Sequence, residues 1–465
     1  MIELALTAQV LLWLILIGVF LACRQATIFH PLTVYFGFHG LVFVLRPLLV
    51  HEFGFDTNWH YMRFEPTDLV FVRTLAVSSV GLVTFFVACL GAGWTREELL
   101  PAALPRFSRE ERSAFVVTVL LLLPLIGYSI YATRNGQDGE RINGVYILTT
   151  STGYIYEAQH FILPLLCAGM VMTRFHWMNL LPSLAYVGYR TWFGWSRWTI
   201  LLFLLMVTLS YCWYHRRRWI PVWSILVAMP VLVVFNLLGH NRDVLKAILS
   251  GEPVQVVRYD AGMTREEKLK KQLDTQDYAN FDYLSYVVAV VPERTGAYSL
   301  GLQHLQLFTE PIPRILWRGK PIGPPIESPV NLGEFGNFTG LTVSLVGDGW
   351  ISGGWVGLVV TLTLAGLGLG WAHRWFRANL GNRCGALIYL AGIAMTPQLY
   401  RDGGGVSIAK FLLFTVTPIL LWISINWCLG RRLVPLLSVP LAPAARVRFL
   451  TPGGGSAGGH GPIPR

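Results

Sequence analysis

Seven basic residues stand where a membrane protein ordinarily has few. Apolar runs long enough to cross a bilayer recur from Leu4 to Cys428, and the Lys and Arg of such a chain gather on the cytoplasmic side. Arg46, Arg73, Arg190, Arg197, Arg242, Arg401 and Lys410 instead fall at or just inside the opposite ends of these runs. Cations there call for an anionic ligand, and a lipid-linked pyrophosphate has that chemistry. Arg190 and Arg197 bracket a tight hairpin. A guanidinium fork grips phosphate oxygens bidentately and stays charged when partly desolvated, so the pair could clamp a diphosphate. The competing reading is snorkelling to lipid headgroups, aided by Trp192 and Trp195 as part of an interfacial belt. Arg46 and Lys410, inside apolar runs, are the costlier placements.

The second group of chemically able residues lies between 240 and 350. Arg314, Arg318 and Lys320 stand among the prolines of Pro313–Pro321, and Glu334 lies in the glycine-rich stretch 333–340. Asp348 sits between Gly347 and Gly349, and glycines permit tight turns that would aim these carboxylates. Aromatic rings beside carboxylates and amides suit a sugar, whose apolar faces stack on rings while its hydroxyls find polar partners. No Walker-type loop, zincin motif or Ser-His-Asp spacing is present. The six cysteines lie in or beside apolar spans without metal-ligand spacing, so neither a disulfide framework nor a metal site is expected.

The elements that must position these residues follow from hydropathy. The 465 residues are 53% hydrophobic and only 14% charged, which places the chain in the membrane class. Its net charge of +11 resides in short inter-helix loops and the tail, an arrangement that serves topology and anionic lipid rather than nucleic acid. The expected fold is an all-α polytopic membrane protein of about eleven spans, near 4–22, 29–50, 69–92, 114–131, 157–173, 177–191, 197–214, 219–239, 351–372, 384–399 and 407–428. The first run reads as a retained helix rather than a cleaved signal. With this count Arg96, Arg109, Arg216–Arg218, Arg374 and Arg431 share one side, giving a periplasmic N-terminus and a cytoplasmic C-terminus. The organisation is then a first bundle (1–239), a large, partly helical extracytoplasmic loop (240–350), three last spans (351–430) and a tail (431–465) whose Gly and Pro content reads as disordered. Glu266 with Lys270 and Glu267 with Lys271 favour a short solvated helix inside that loop.

The order of these parts resembles the Wzy-type oligosaccharide repeat-unit (O-antigen) polymerases of bacteria. The resemblance covers roughly residues 100–430. It rests on the short hairpin ending in Gly194-Trp195-Ser196-Arg197, the basic turn that follows, Glu293-Arg294-Thr295-Gly296, the Pro313–Pro321 run and the Gly333–Gly340 segment. Trp192, Phe193 and Trp195 replace the small residues usual in the hairpin.

The resemblance implies a GT-C-type glycosyltransferase of the bacterial inner membrane, without a cofactor. It would move a growing glycan from undecaprenyl pyrophosphate onto a hydroxyl of a lipid-linked repeat unit, with a chain-length regulator as a candidate partner. Arginines could stabilise the pyrophosphate leaving group without a metal. Arg190, Arg197, Arg242 and Arg314, then Arg318 and Arg401, are the candidates for that role. Glu334, Asp348, Glu327 and His304 are candidates for a general base, although each alone also reads as an ordinary loop residue. Inversion by direct displacement is expected. An O-antigen ligase passing lipid-linked glycan to lipid A–core, a lipid-linked oligosaccharide transporter and a purely structural assembly partner remain as alternatives.

Overall fold

The computed structural model describes residues 1–95, 107–135, 139–142, 145–148, 155, 157–193, 197–221, 264, 274, 279–305, 308, 312, 316–317 and 341–428. In chain order these form α1 (Ile2–Ala22), α2 (Pro31–Phe53), α3 (Asp68–Gly93) and α4 (Arg109–Asn135), then a hairpin of β1 (Gly139–Ile142) and β2 (Val145–Leu148). There follow α5 (Ala158–Met172), α6 (Leu180–Phe193), α7 (Arg197–Tyr214), α8 (Asn280–Val290), α9 (Ser344–Ala378), α10 (Arg383–Asp402) and α11 (Ser407–Cys428).

Six helices among the described residues, α1 to α4, α9 and α11, are long and apolar enough to cross a membrane, not the eleven expected. The fifth and sixth expected spans coincide with α5 and α6, whose apolar length is cut by Gln159 and His160 at the start of one and Arg190 near the end of the other. The seventh coincides with α7, and the tenth with α10, which carries charge at both ends. Residues 222–239 of the expected eighth span, the proposed 265–272 helix and the tail from 429 lie outside the described residues. The fold is all-α as expected apart from one short hairpin, in which β1 and β2 pair antiparallel, Gly139 opposite Leu148 and Ile142 opposite Val145. The run Val145-Tyr146-Ile147-Leu148 is of the β-branched and aromatic kind that favours a strand.

The scaffold is organised around α3 and α9. Gly366 and Gly370, one turn apart on α9, face Ala88, Cys89 and Gly93 of α3. A Cβ on Gly370 would stand 2.5 Å from the Cys89 carbonyl oxygen, so only glycine allows this backbone approach. Near its start α9 is broken at Gly353 and Gly354. Gly354 has φ 59° and ψ −135°, a region closed to side-chain-bearing residues. The chain folds back there, bringing Gly349 against Leu358 and Thr361.

This reversal corrects the reading of Asp348. Gly347 and Gly349 do not form a turn; both are helical and give the short arm before the break room to pack, Gly347 against Leu284 of α8 and Gly349 against the returning helix. The arm and α8 lie buried against α3, with Phe281 edge-on to Phe71 at 5.1 Å and the Trp350 Nε1–H donating to Val291 O. Thus the end of the supposed loop belongs to the protein's core. Turns of π-helix, Gly40–Leu45 and Phe411–Val416, adjoin Arg46 and Lys410 within α2 and α11, and such an inserted residue re-aims the side chains beside it.

Candidate functional site

Asp348 is the hub. It is 4% exposed, on the folded-back arm of α9. Its Oδ1 accepts a hydrogen bond from Gln303 Nε2 at 2.8 Å, and Oδ2 accepts one from the Gly404 N–H at 3.0 Å. His304 Nε2 lies 3.7 Å from Oδ2. That is longer than a hydrogen bond. The imidazole is 39% exposed and so accessible to a substrate.

Two local structures hold this pair. A helical turn, Leu302–Leu305, is pinned to the α9 arm by Ser299, whose N–H donates to Ile351 O, and by Gln303, which also donates to Ser352 Oγ. From the other side the turn between α10 and α11 supplies Gly403 (φ 92°), Gly404 and Gly405. A Cβ on Gly403 would come within 3.3 Å of the Asp348 carboxyl, and one on Gly405 within 3.2 Å of His304 Nδ1. The three glycines form a close cradle, strained for any side chain at Gly403 and tight at Gly405.

Arg401 and Lys410 flank the cradle in sequence. Arg401 Nε stands 3.9 Å from Asp402 Oδ1, and the Arg401 carbonyl accepts from Asn280 Nδ2 at 3.0 Å. Asp402 lies within electrostatic reach of Lys410 as well. Lys410 Nζ pairs with Glu157 at 3.0 Å. Two residues beyond Glu157, Gln159 Oε1 accepts from Arg190 Nη1 and from Tyr189 Oη, both at 3.1 Å. Arg190 Nη2 donates to Thr199 Oγ1 at 3.2 Å, and Nε has no partner among the described residues. Arg190 is 3% exposed, and its hydrogen-bond partners among the described residues are neutral.

Two of the seven wrong-end cations have another purpose. Arg46, 2% exposed, meets Asp282 and Asp274 at 2.7 Å each and donates to Phe55 O, while Asn58 donates to Asp282. It ties α8 to α2 and is no ligand for a substrate. Arg73 pairs with Glu293 at 2.9 Å and lies over the Trp350 ring.

Of the residues singled out from sequence, the structure brings Asp348 and His304 together, puts Arg401 two residues before the glycine turn that touches them, and pairs Lys410 with Glu157, two residues from the Gln159 that bonds Arg190. Arg197 opens α7, with its side chain outside the described atoms. Arg242, Arg314, Arg318, Glu327 and Glu334 lie outside the described residues. The glycine cradle, Gln303, Asp402, Glu157 and Gln159 were missed. The run Arg401-Asp402-Gly403-Gly404-Gly405 was the available signal: an ion-pair sequence followed by three glycines between two spans.

At the opposite end of the bundle the Ile28 N–H donates to Arg218 O, Gln25 bonds Thr95, and Arg383 pairs with Glu111 at 3.0 Å. The fold and these two charged ends define a polytopic helical membrane protein with an acid–base pair and cations at one end. Protein-family models, characterised proteins and solved structures give no match for this chain.

Proposed function

We propose that this chain is a glycosyltransferase polymerising undecaprenyl-pyrophosphate-linked repeat units into a surface polysaccharide at the periplasmic face of a bacterial inner membrane. The observation that carries the reading is the meeting of Asp348 and His304 over the glycine turn 403–405, which follows Arg401 in the chain. His304 takes the proton from the acceptor sugar hydroxyl as its oxygen attacks the anomeric carbon of the donor. The bond from that carbon to the pyrophosphate breaks, and its electron pair leaves on the pyrophosphate oxygen. Direct displacement inverts the anomeric centre. Asp348, already held by Gln303 and Gly404, steadies the imidazolium without reorganising. Arg190 and Arg401 stabilise the departing charge, with Arg197, Arg242, Arg314 and Arg318 as further contributors to the same task. This orientation puts the N-terminus in the periplasm and the C-terminus in the cytoplasm.

The test is a gel of surface polysaccharide from a deletion strain and its complemented parent. Loss of the long ladder with retention of a single capped repeat unit is the expected result. Loss of every capped species with accumulation of long lipid-linked polymer would instead identify a ligase. An unchanged ladder would return the transporter and structural readings to the front.

A further inference from the structure

The Arg46 cluster carries one charge too many. A single guanidinium meets two carboxylates: Nη1 stands 2.7 Å from Asp274 Oδ1, while Nη2 and Nε donate to Asp282 Oδ2 at 2.7 and 3.1 Å. All three side chains are buried. With both acids ionised, one negative charge is left uncompensated inside the protein, and a buried carboxylate in that position takes up a proton instead. Among the described residues only Arg46 and Asp274 act on Asp282 as charges. The other titratable groups nearby are engaged or exposed. Arg73 of α3 pairs with Glu293, and Asp68 at the start of that helix is exposed. Asp348 of the α9 arm is held by Gln303 and Gly404. Tyr286 of α8 lies toward the exposed Arg294, and Asp56 lies 3.8 Å from His60 at the surface.

The hydrogen bonds say where the proton goes. Asp282 Oδ2 is engaged by Arg46 and by Asn58 Nδ2, which donates at 2.7 Å. Asp274 Oδ2 accepts the Thr57 N–H at 2.9 Å, and its Oδ1 faces the guanidinium. Asp282 Oδ1 is the least occupied of the four oxygens, with Arg46 Nε at 3.4 Å. Asn58 is 1% exposed, and its Oδ1 is an acceptor with no donor among the described residues. A proton on Asp282 Oδ1 supplies that donor. The O–H then points to Asn58 Oδ1 while Asn58 Nδ2 donates back to Oδ2, the reciprocal pair that a carboxylic acid makes with an amide.

We propose that Asp282, with Asp274 and Arg46, is a proton-binding site and that α8 is the latch it operates. With the proton in place α8 is locked to α2 and to Asn58; with both acids charged it is released. The latch reaches the candidate site because α8 begins at Asn280, whose Nδ2 donates to the carbonyls of Thr342 and Arg401 at 2.9 and 3.0 Å. Burial pushes the Asp282 carboxyl up from its ordinary 3.8 to about 6, against the pull of Arg46. A carboxyl raised in the folded state stabilises the fold below its ordinary value, and that contribution is lost as pH rises through about 6. The latch therefore closes in acid.

The test uses the full-length protein in nanodiscs. Infrared difference spectra between about pH 5 and about pH 8 should show a protonated-carboxyl C=O stretch at the acid end. Hydrogen exchange over 281–290, corrected for its intrinsic pH dependence, should be at least about fivefold slower there. Asp282→Asn copies the shape of the protonated acid, with an amide N–H in place of the O–H. It should lose the band and exchange slowly at both pH values. Asp274→Asn leaves one carboxylate for one guanidinium and should behave in the same way. A band of equal strength in the parent and both variants, or no band at all, would overturn the proton site. A band lost in the variants while exchange over 281–290 ignores pH would overturn the latch. Failure of Asp282→Asn to fold at the higher pH would also count against it, since a neutral isostere should hold α8 shut.

Discussion

Asp348 Oδ2 accepts the backbone N–H of Gly404 at 3.0 Å, joining the folded-back arm of α9 to the turn between α10 and α11 across 56 residues of sequence. With one oxygen fixed there and the other on Gln303, the carboxylate is an orienting group rather than a mobile base. The partly exposed His304 is, under the proposed function, the group that would meet the acceptor.

His304→Gln should therefore lower polymer formation by roughly 100-fold or more, the scale of a lost general base. Asp348→Asn should cost at least about tenfold by removing the charge that steadies the imidazolium. The readout is the rate of chain extension from purified lipid-linked repeat units in proteoliposomes, normalised to folded protein. Full activity of His304→Gln would remove it from the mechanism.

Arg190→Lys keeps the charge but loses the fork that spans Gln159 and Thr199. It should retain a small part of the activity, about a tenth or less, and Arg190→Gln still less. Parent-like extension by Arg190→Gln, at equal protein level, would reduce this arginine to a packing role.

Arg46 gives the contrasting case. Arg46→Ala leaves Asp274 and Asp282 facing each other in the core and should destabilise by about 3–5 kcal/mol. The triple change Arg46→Met, Asp274→Asn, Asp282→Asn should recover most of that loss. Thermal unfolding in detergent measures both. A triple variant as unstable as the single one would show that the arginine does more than offset two buried carboxylates.

Gly370→Leu forces α3 and α9 apart at their closest approach and should cost about 1–3 kcal/mol or prevent folding. Gly368→Leu, two residues away with open space around it, should be neutral. Monodispersity and unfolding temperature separate the two, and equal behaviour would refute the close-packed pair.

What sequence made legible was set by the range over which each signal acts. A span is local, and the apolar runs that became α1 to α4, α9 and α11 stood out by length and composition. The cations at their ends stood out as well, but their partners did not. Arg46 and Asp282 are 236 residues apart, and Lys410 and Glu157 are 253, distances over which no periodicity carries information. Helix α8 is only 11 residues long, so hydropathy left it inside a loop although most of its residues are buried. Asp348 was singled out for its flanking glycines, which serve packing and not a turn. His304 emerged only as one of four bases. Pairing it with Asp348 required knowing that the chain reverses at Gly354.

That reversal has a consequence for how the protein tolerates its solvent. Long spans answer a thicker or thinner bilayer by tilting, and a carboxylate at the tip of such a span would rise or sink with it. Asp348 is not at a tip. It rides on a side arm joined to α9 through Gly353–Gly354 and anchored to Gln303 and Gly404. The position of the carboxylate relative to His304 is thus set by the arm, Gln303 and Gly404 rather than by the tip of α9.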